Sequence, residues 1–267
     1  MAWDFSFLET LEKPPLTHGR LFVSSRGQGP MFLFIHGGFH GAWSWSPWLK
    51  DLAARQIPVA ALDLRGHGGL QQTRDFISAG VVEMAADVIE AARVLGRPVI
   101  LVGHSLGALV AMAAAQQVRP AGLVMLAPMP PANVADVKLL PPFADDTQIA
   151  PPVGERARKW FLAGSAVPDI TPYTSRLCGE SPALLNDVYR RSIAVDPAWT
   201  FGPALCLSGD KDESPLHVRG QDEAIATFYG ATLAPVPGGG HCMMLDDSAG
   251  IARDLILDWR AAHKFDL

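Results

Sequence analysis

Ser105 stands in Gly103-His104-Ser105-Leu106-Gly107, between an apolar run at 98–103 and an alanine-rich apolar stretch at 106–118. A serine at the apex of a strand-to-helix turn has its hydroxyl lifted above the strand end, where it can act as a nucleophile. Such a turn crowds the backbone, so only small residues fit beside it, and glycine stands at 103 and 107. The following helix aims its free N-terminal N–H groups at the same spot, where they can hold developing negative charge. A serine hydroxyl is a poor nucleophile until a base takes its proton. Of eight histidines, His241 is the expected base. It closes the loop Val236-Pro237-Gly238-Gly239-Gly240-His241, after the last apolar run and before the C-terminal helical stretch. That is the carboxyl edge, where open α/β sheets gather their sites. His263 comes later but lies in a polar tail and fits a solvated helix end. The acid that orients the imidazole should fall in Gly209-Asp210-Lys211-Asp212-Glu213-Ser214-Pro215, where two aspartates and a glutamate compete. Asp210 serves equally well as a turn or capping residue.

An oxyanion at the reacting carbonyl needs two backbone N–H donors. Leu106, directly after the serine, supplies one. Gly38 is the expected second, in the glycine-bearing loop His36-Gly37-Gly38-Phe39-His40-Gly41-Ala42-Trp43. His36 is expected to brace this loop. His40 could face the pocket or do the same. In Asp63-Leu64-Arg65-Gly66-His67-Gly68, Arg65 and His67 are expected to bridge loops. The expected pocket wall comprises Phe39, His40, Trp43, His104, Met129, Trp160, Cys242 and Met243, a largely apolar set that suits a small or medium apolar acyl group or an aromatic ester. At helical spacing Trp160 and Phe161 fit a core stripe better than substrate contacts.

The elements that must position these residues alternate. Strand-length apolar runs occupy 20–24, 31–36, 58–63, 98–103, 121–127, 204–208 and 231–236. Several are apolar on consecutive residues, as in strands covered on both faces of a parallel sheet. Helical patterns lie at about 45–55, 80–95, 106–118, 216–229 and 247–263. Gly96-Arg97-Pro98 stops the second of these. The alternation predicts an α/β architecture with right-handed crossovers. Residues 128–200 break the rhythm with proline pairs and helical patches at 155–163 and 181–194, the latter capped by Ser181 with Pro182 in first position. They read as an insertion between core strands. Of 25 glycines, 12 lie in the five strand-end loops, whereas 12 of 22 prolines lie between 128 and 203. Glycine therefore shapes the reactive edge and proline stiffens the insertion.

The 267 residues are 49% hydrophobic and only 18% charged, enough for a core that needs no staples. A net charge of −5 with no basic run argues against nucleic acid and anionic membrane surfaces as partners. Cys178, Cys206 and Cys242 are too widely spaced for a disulfide framework or a metal pair and fit free thiols in a reducing cytosol. The first residues lack a secretory pattern, and no long apolar window is present, so a cytoplasmic location is expected. No metal-ligand motif or dinucleotide fingerprint is found, so neither metal nor cofactor is expected.

Taken in order, HGG, DLRGHG, GHSLG, GDKDESP and GGGHC resemble the α/β-hydrolase family over nearly the whole chain. The resemblance implies a mostly parallel central sheet flanked by helices. It divides the chain into a core at 1–127 and 201–267 and a mainly helical cap at 128–200, inserted after the sixth strand. It places the acid on Asp212, with Gly209 and Pro215 as its companions, and leaves Asp210 as the fallback. HGGFHGAWSW and HCMMLD look most like the methylesterase and hydroxynitrile lyase branch. Lyases of that branch carry a lysine directly after the catalytic histidine, where this chain has Cys242. The expected activity is therefore hydrolysis of an ester or lactone by Ser105, His241 and Asp212, with a small-molecule partner and a homodimer left open. The family also includes cofactor-free C–C cleaving enzymes and oxygenases, and ligand-binding receptors, which these motifs do not fully separate.

Overall fold

The computed structural model describes residues 3–134, 141–144, 147–199, 202–215 and 217–265. Seven strands form one sheet: β1 (Arg20–Ser24), β2 (Met31–Ile35), β3 (Val59–Asp63), β4 (Val99–His104), β5 (Gly122–Leu126), β6 (Ala204–Gly209) and β7 (Thr232–Val236). Their spatial order is β1-β3-β2-β4-β5-β6-β7. Only β1 pairs antiparallel, with β3; the other five pairings are parallel. Every residue of β2, β3, β4 and β5 is buried, which is why their sequences are continuously apolar. At the far edge β7 is largely exposed.

The helices are α1 (Ser46–Ala54), α2 (Arg74–Ile77), α3 (Val81–Leu95), α4 (Leu106–Val118), α5 (Gly154–Phe161), α6 (Thr171–Thr174), α7 (Pro182–Tyr189), α8 (Gln221–Tyr229) and α9 (Ala249–Ala262). Helix α3 buries Val81, Met84, Ala85, Val88 and Ile89 along one stripe and ends on Gly96 in the left-handed region. Helix α7 starts as its sequence predicts, with Ser181 Oγ accepting from Leu184 N–H and Pro182 at its first position. It stops at Tyr189, five residues short of the expected end. Arg191 takes a φ of 54°, and its guanidinium donates to Pro131 O at 2.6 Å, turning the chain back. Helix α8 starts at Gln221 rather than 216, because Gly220 at φ 86° sets the left-handed entry.

The proline-rich segment falls between β5 and β6, so it follows the fifth strand of this sheet and not the sixth as expected. The sheet has one strand fewer ahead of the insertion than the resemblance implies. The segment carries α5, α6 and α7 and contributes no strand to the sheet among the described residues. The expected boundary at 200/201 and the chain ends 1 and 267 lie outside the described residues. Among the described residues no helix is long and apolar enough to cross a membrane.

Backbone packs closely against backbone where α4 crosses the sheet. A Cβ on Gly107 would lie 2.1 Å from His36 O, and one on Gly103 would lie 2.5 Å from Ala108 Cα. Both obstacles are backbone and cannot swing aside. Gly107→Ala should destabilise the protein by about 2 kcal/mol or more through overpacking. Gly250→Ala, in α9 with nothing near its would-be Cβ, should instead stabilise by about 0.5 kcal/mol through helix propensity. Urea unfolding of the two variants checks both signs; equal midpoints would refute the packing argument.

Candidate active site

Ser105 caps β4 and opens α4 with φ 52° and ψ −120°, a strained conformation for a residue with a side chain. Backbone bonds hold it there. Its N–H donates to Leu126 O at 2.9 Å, and its carbonyl accepts from Met129 N–H and Ala108 N–H, both at 3.0 Å. The hydroxyl therefore points off the carboxyl edge of the sheet, although the residue is only 8% exposed.

His241, in the loop after β7, meets it there. Ser105 Oγ lies 2.9 Å from His241 Nε2, and His241 Nδ1 lies 2.7 Å from Asp212 Oδ2. A carboxylate can only accept, so Nδ1 carries the imidazole proton and Nε2 is left to accept from the serine. Asp212 also accepts from Ser214 N–H at 2.8 Å. Burial opposes charge on Asp212, but His241 and its hydrogen bond, helped by His217 and Ser214, hold the carboxyl below its usual range. Asp210 does something else: its Oδ1 accepts from Gly238 N–H at 2.8 Å and ties the loop after β6 to the loop carrying His241. Lys211 N–H donates to Gly239 O across the same seam. Asp246 accepts from Gly240 N–H at 2.6 Å, and burial pushes its carboxyl up to about 7.

A cavity of about 360 Å³ opens over this group, lined by Gly38, Phe39, Ser105, Leu106 and His241 below. Met129, Phe143, Trp160, Phe161, Leu185 and Val188 close its sides and top. Trp160 and Phe161 thus line the cavity, with Phe161 also packed edge-on against His40. Phe39, Met129 and Trp160 of the expected wall are in place. His40, Trp43, His104, Cys242 and Met243 are not in the lining. All five are buried one layer deeper, where His40, Trp43, His104 and Cys242 are held by hydrogen bonds or ring contacts and Met243 joins the apolar core.

That layer is built from histidines. His104 Nε2 donates to His241 O at 2.9 Å, fixing the loop that carries the imidazole. His36 Nε2 accepts from Leu64 N–H at 3.1 Å and joins the loops after β2 and β3. Burial pushes both well below the usual histidine range, so both are neutral. His40 is pushed down to about 4 by burial. Its Nδ1 donates to Gly38 O at 2.6 Å and its Nε2 faces Tyr173 Oη at 2.7 Å, with Cys242 Sγ beside them. Trp43 stacks on the His40 ring at 5.5 Å.

Two residues near the site carried no pattern in the sequence. Glu180, just ahead of α7 in the inserted segment, is fully buried. Its Oε2 accepts from Phe39 N–H at 2.9 Å and faces His67 Nε2 at 3.1 Å, while Oε1 accepts from Ser181 N–H at 2.8 Å. Phe39 N–H, next to the expected donor Gly38, is thereby occupied. Gly38 N–H and Leu106 N–H have no acceptor among the described residues. His217, in the turn before α8, lies with Nε2 3.0 Å from Asp222 and Nδ1 3.6 Å from Asp212. Neither residue sits in a motif; each reaches the site only through tertiary packing.

A parallel sheet with a serine on a strained strand-to-helix turn, and a histidine and an acid from its last two strand-end loops, defines the architecture of an α/β hydrolase. The sequence model of the alpha/beta hydrolase family matches residues 32–254, and the chain belongs to that family. Mouse protein phosphatase methylesterase 1 is 37% identical over 92 residues, 33% of this chain and 24% of that protein. The pimeloyl-[acyl-carrier protein] methyl ester esterase of Methylococcus capsulatus is 40% identical over 99 residues, 36% of this chain and 35% of that protein. The chain thus spans between 24% and 35% of the length of these curated relatives. Among solved structures, a thermophilic esterase from Thermogutta terrifontis superposes with a TM-score of 0.67 at 20% identity, covering 94% of this chain and 99% of that one. A methylesterase from Arabidopsis gives 0.68 at 18% identity, covering 87% and 99%. At those identities the likeness is one of fold.

The Glu180–His67 contact makes a prediction about pH. Burial opposes charge on His67, but the Glu180 carboxylate and its hydrogen bond outweigh it and raise the imidazole above its usual range. A raised histidine contributes stability below the unfolded value near 6.5, and loses it as pH rises through the folded value. Glu180→Gln should therefore cost more stability at about pH 6 than at about pH 9, with a loss on the order of 3 kcal/mol at the lower pH. Urea unfolding at the two pH values, with imidazole NMR to follow His67, tests this. An equal cost at both would mean the pair is not ionised.

Proposed function

We propose that the protein is a serine hydrolase that cleaves a carboxylic ester or lactone of small to medium apolar or aromatic acyl character. The observation that carries this is the unbroken line Asp212–His241–Ser105, with contacts of 2.7 and 2.9 Å, on the floor of an apolar cavity. The methylesterases and esterases among its relatives agree with that chemistry.

In this reading the substrate carbonyl lies over Ser105 with its oxygen toward Gly38 and Leu106. Ser105 Oγ attacks the carbonyl carbon as His241 Nε2 takes its proton. Asp212 keeps the other ring proton on Nδ1 and stabilises the imidazolium that forms. The carbonyl oxygen, now an anion, accepts from the Gly38 and Leu106 N–H groups, the latter strengthened by the N-terminus of α4. The tetrahedral adduct collapses, and His241 gives its proton to the leaving alkoxide, which departs as alcohol or, from a lactone, stays tethered. Water then repeats the sequence on the acyl-enzyme, with His241 as base, and releases the acid.

The residues 128–200 act as a lid over the core, holding the side chains that meet the acyl group: Phe143, Trp160, Phe161, Leu185 and Val188. A small-molecule ester or lactone is the partner. Cys242 supports hydrolysis over cyanohydrin cleavage: its thiol is buried beside His40 and Tyr173, out of the cavity, and offers no cation to a leaving cyanide. The three unpaired thiols favour a cytoplasmic setting.

An ester, lactone and thioester panel on wild type and Ser105→Ala tests the reaction. Ser105→Ala should lose several orders of magnitude in kcat and all labelling by a fluorophosphonate. Labelling of the variant as strongly as wild type would remove Ser105 from the mechanism. Short-chain p-nitrophenyl esters should turn over faster than long ones, given a cavity of about 360 Å³; a preference for long chains would refute the assigned pocket. Asp212→Asn should lower kcat by about 10⁴-fold by inverting the imidazole tautomer. Asp210→Asn, which keeps an acceptor for Gly238 N–H, should stay within about tenfold of wild type.

A further inference from the structure

We propose that Asp212, His217 and His241 form an inhibitory site for a divalent transition cation of the zinc type, built into the reactive centre itself. The inference rests on the hydrolase reading for its effect on activity, but not for binding. No spacing in the sequence marks this site, because the three ligands come from two loops that only the fold brings together.

The geometry fits the ion. One ligand atom from each residue lies within 4.8 Å of the other two. Tetrahedral zinc with Zn–N and Zn–O bonds near 2.0–2.1 Å needs ligand atoms about 3.3 Å apart. His217 Nδ1 and Asp212 Oδ2 stand 3.6 Å apart, close to that spacing. The His241 Nδ1 to Asp212 Oδ2 contact, at 2.7 Å, has to open by about 0.6 Å to reach it. All three side chains are at most 8% exposed, and water completes the coordination.

The surroundings carry the other features a metal site needs. His217 turns its second nitrogen, Nε2, to Asp222 Oδ2 at 3.0 Å. That carboxylate–histidine pair fixes the ring toward Asp212, and in the neutral ring it leaves Nδ1 as the lone pair offered to the ion. Gln221 Nε2 approaches the same Nδ1 at 3.4 Å as a donor, which agrees with a lone pair there. Asp222 is 4% exposed, and its Oδ1 is buried with no partner among the described residues. A second cavity, separate from the substrate pocket, is lined by Asp210, Asp212, His217, Arg219, Asp222 and Glu223. Its four carboxylates outnumber the one guanidinium, so a cation can approach without passing the substrate cavity.

The inhibition follows from proton bookkeeping. A metal on His241 Nδ1 displaces the proton held there. For the ring to stay neutral, that proton moves to Nε2, which then donates to Ser105 Oγ and no longer accepts from it. The serine loses its base, and Asp212 loses its contact with the imidazole. Nothing is oxidised or reduced, and removing the ion restores the starting tautomer.

Zinc chloride, with zinc binding followed by competition against a chromogenic chelator at about pH 8, where imidazole ligands are largely free of protons, tests the site. Wild type and Ser105→Ala should each bind one zinc per chain, and ester turnover by wild type should fall in step with occupancy and recover with EDTA. His217→Gln should weaken both binding and inhibition at least tenfold, each variant scored against its own metal-free rate. Asp222→Asn, which leaves the ligands intact, should weaken binding by about 10- to 100-fold. No stoichiometric binding to wild type, or equal binding and inhibition in folded His217→Gln, would overturn the proposal. Should His217→Gln not fold, unchanged zinc affinity in Asp222→Asn would do so. Binding to Ser105→Ala without any ester turnover by wild type would instead count against the hydrolase reading and leave the metal site standing.

Discussion

Everything at the reactive edge depends on one strained residue. Ser105 has a side chain yet sits at positive φ, a conformation that costs on the order of 1–3 kcal/mol and persists only where its surroundings over-determine it. Here they do so twice. Its N–H and carbonyl are both bonded, to Leu126 on one side and to Met129 and Ala108 on the other, so the neighbouring strand grips the turn. Gly103 and Gly107 then let α4 drop onto β2 and β4 until backbone touches backbone. The direction of the hydroxyl is therefore set by the main chain, and the histidine and acid have only to be delivered to a fixed point. A parallel sheet does this well, because the loops after β2, β4, β6 and β7 all leave from the same edge.

Delivery is the task of the buried histidines. Six of the eight lie beneath or beside the site, and all but His241 are engaged in structure. His36, His40 and His104 are made neutral by burial, so each can donate from one nitrogen and accept at the other without bringing a charge near Ser105. His67 and His217 differ: each faces a buried carboxylate, which holds its imidazole above the usual range and favours the charged form. The histidine side chain is useful here as a small rigid bracket with one donor and one acceptor.

The sequence made the sheet, the elbow and the candidates Ser105, His241 and Asp212 legible for a physical reason. Strands buried on both faces need unbroken apolar runs, and a backbone crossing needs glycine, so both leave marks at fixed spacing. The choice between Asp210 and Asp212 was open on residue type alone and rests on which oxygen reaches Nδ1, a matter of tertiary geometry. The pocket wall was less legible. His40, Trp43 and Cys242 neighbour the motif residues in sequence, but alternate residues in a tight loop face opposite ways, and these face the core. Phe143 lines the cavity from a proline-rich stretch with no period to read, and Leu185 and Val188 from a helical patch whose period does not say what its apolar face meets. Glu180 left no mark at all: a lone glutamate before a capped helix looks like an ordinary surface residue.

Glu180 nevertheless changes what the inserted segment is for. A lid that only covered the cavity would touch its mouth. The inserted segment instead sends a carboxylate to Phe39 N–H, the amide next to Gly38, and holds Phe39 at a φ of 67° that a phenylalanine does not adopt unaided. With Phe39 N–H occupied, Gly38 and Leu106 are the two amides left for an oxyanion. The carboxylate comes from the segment after β5, and the loop it holds comes from β2. The proposed oxyanion pocket thus depends on a residue of the inserted segment, and an imidazole held toward its charged form offsets part of the cost of burying that carboxylate. In this protein the inserted segment and the reacting edge are one structure, joined through the buried contact between Glu180 and His67.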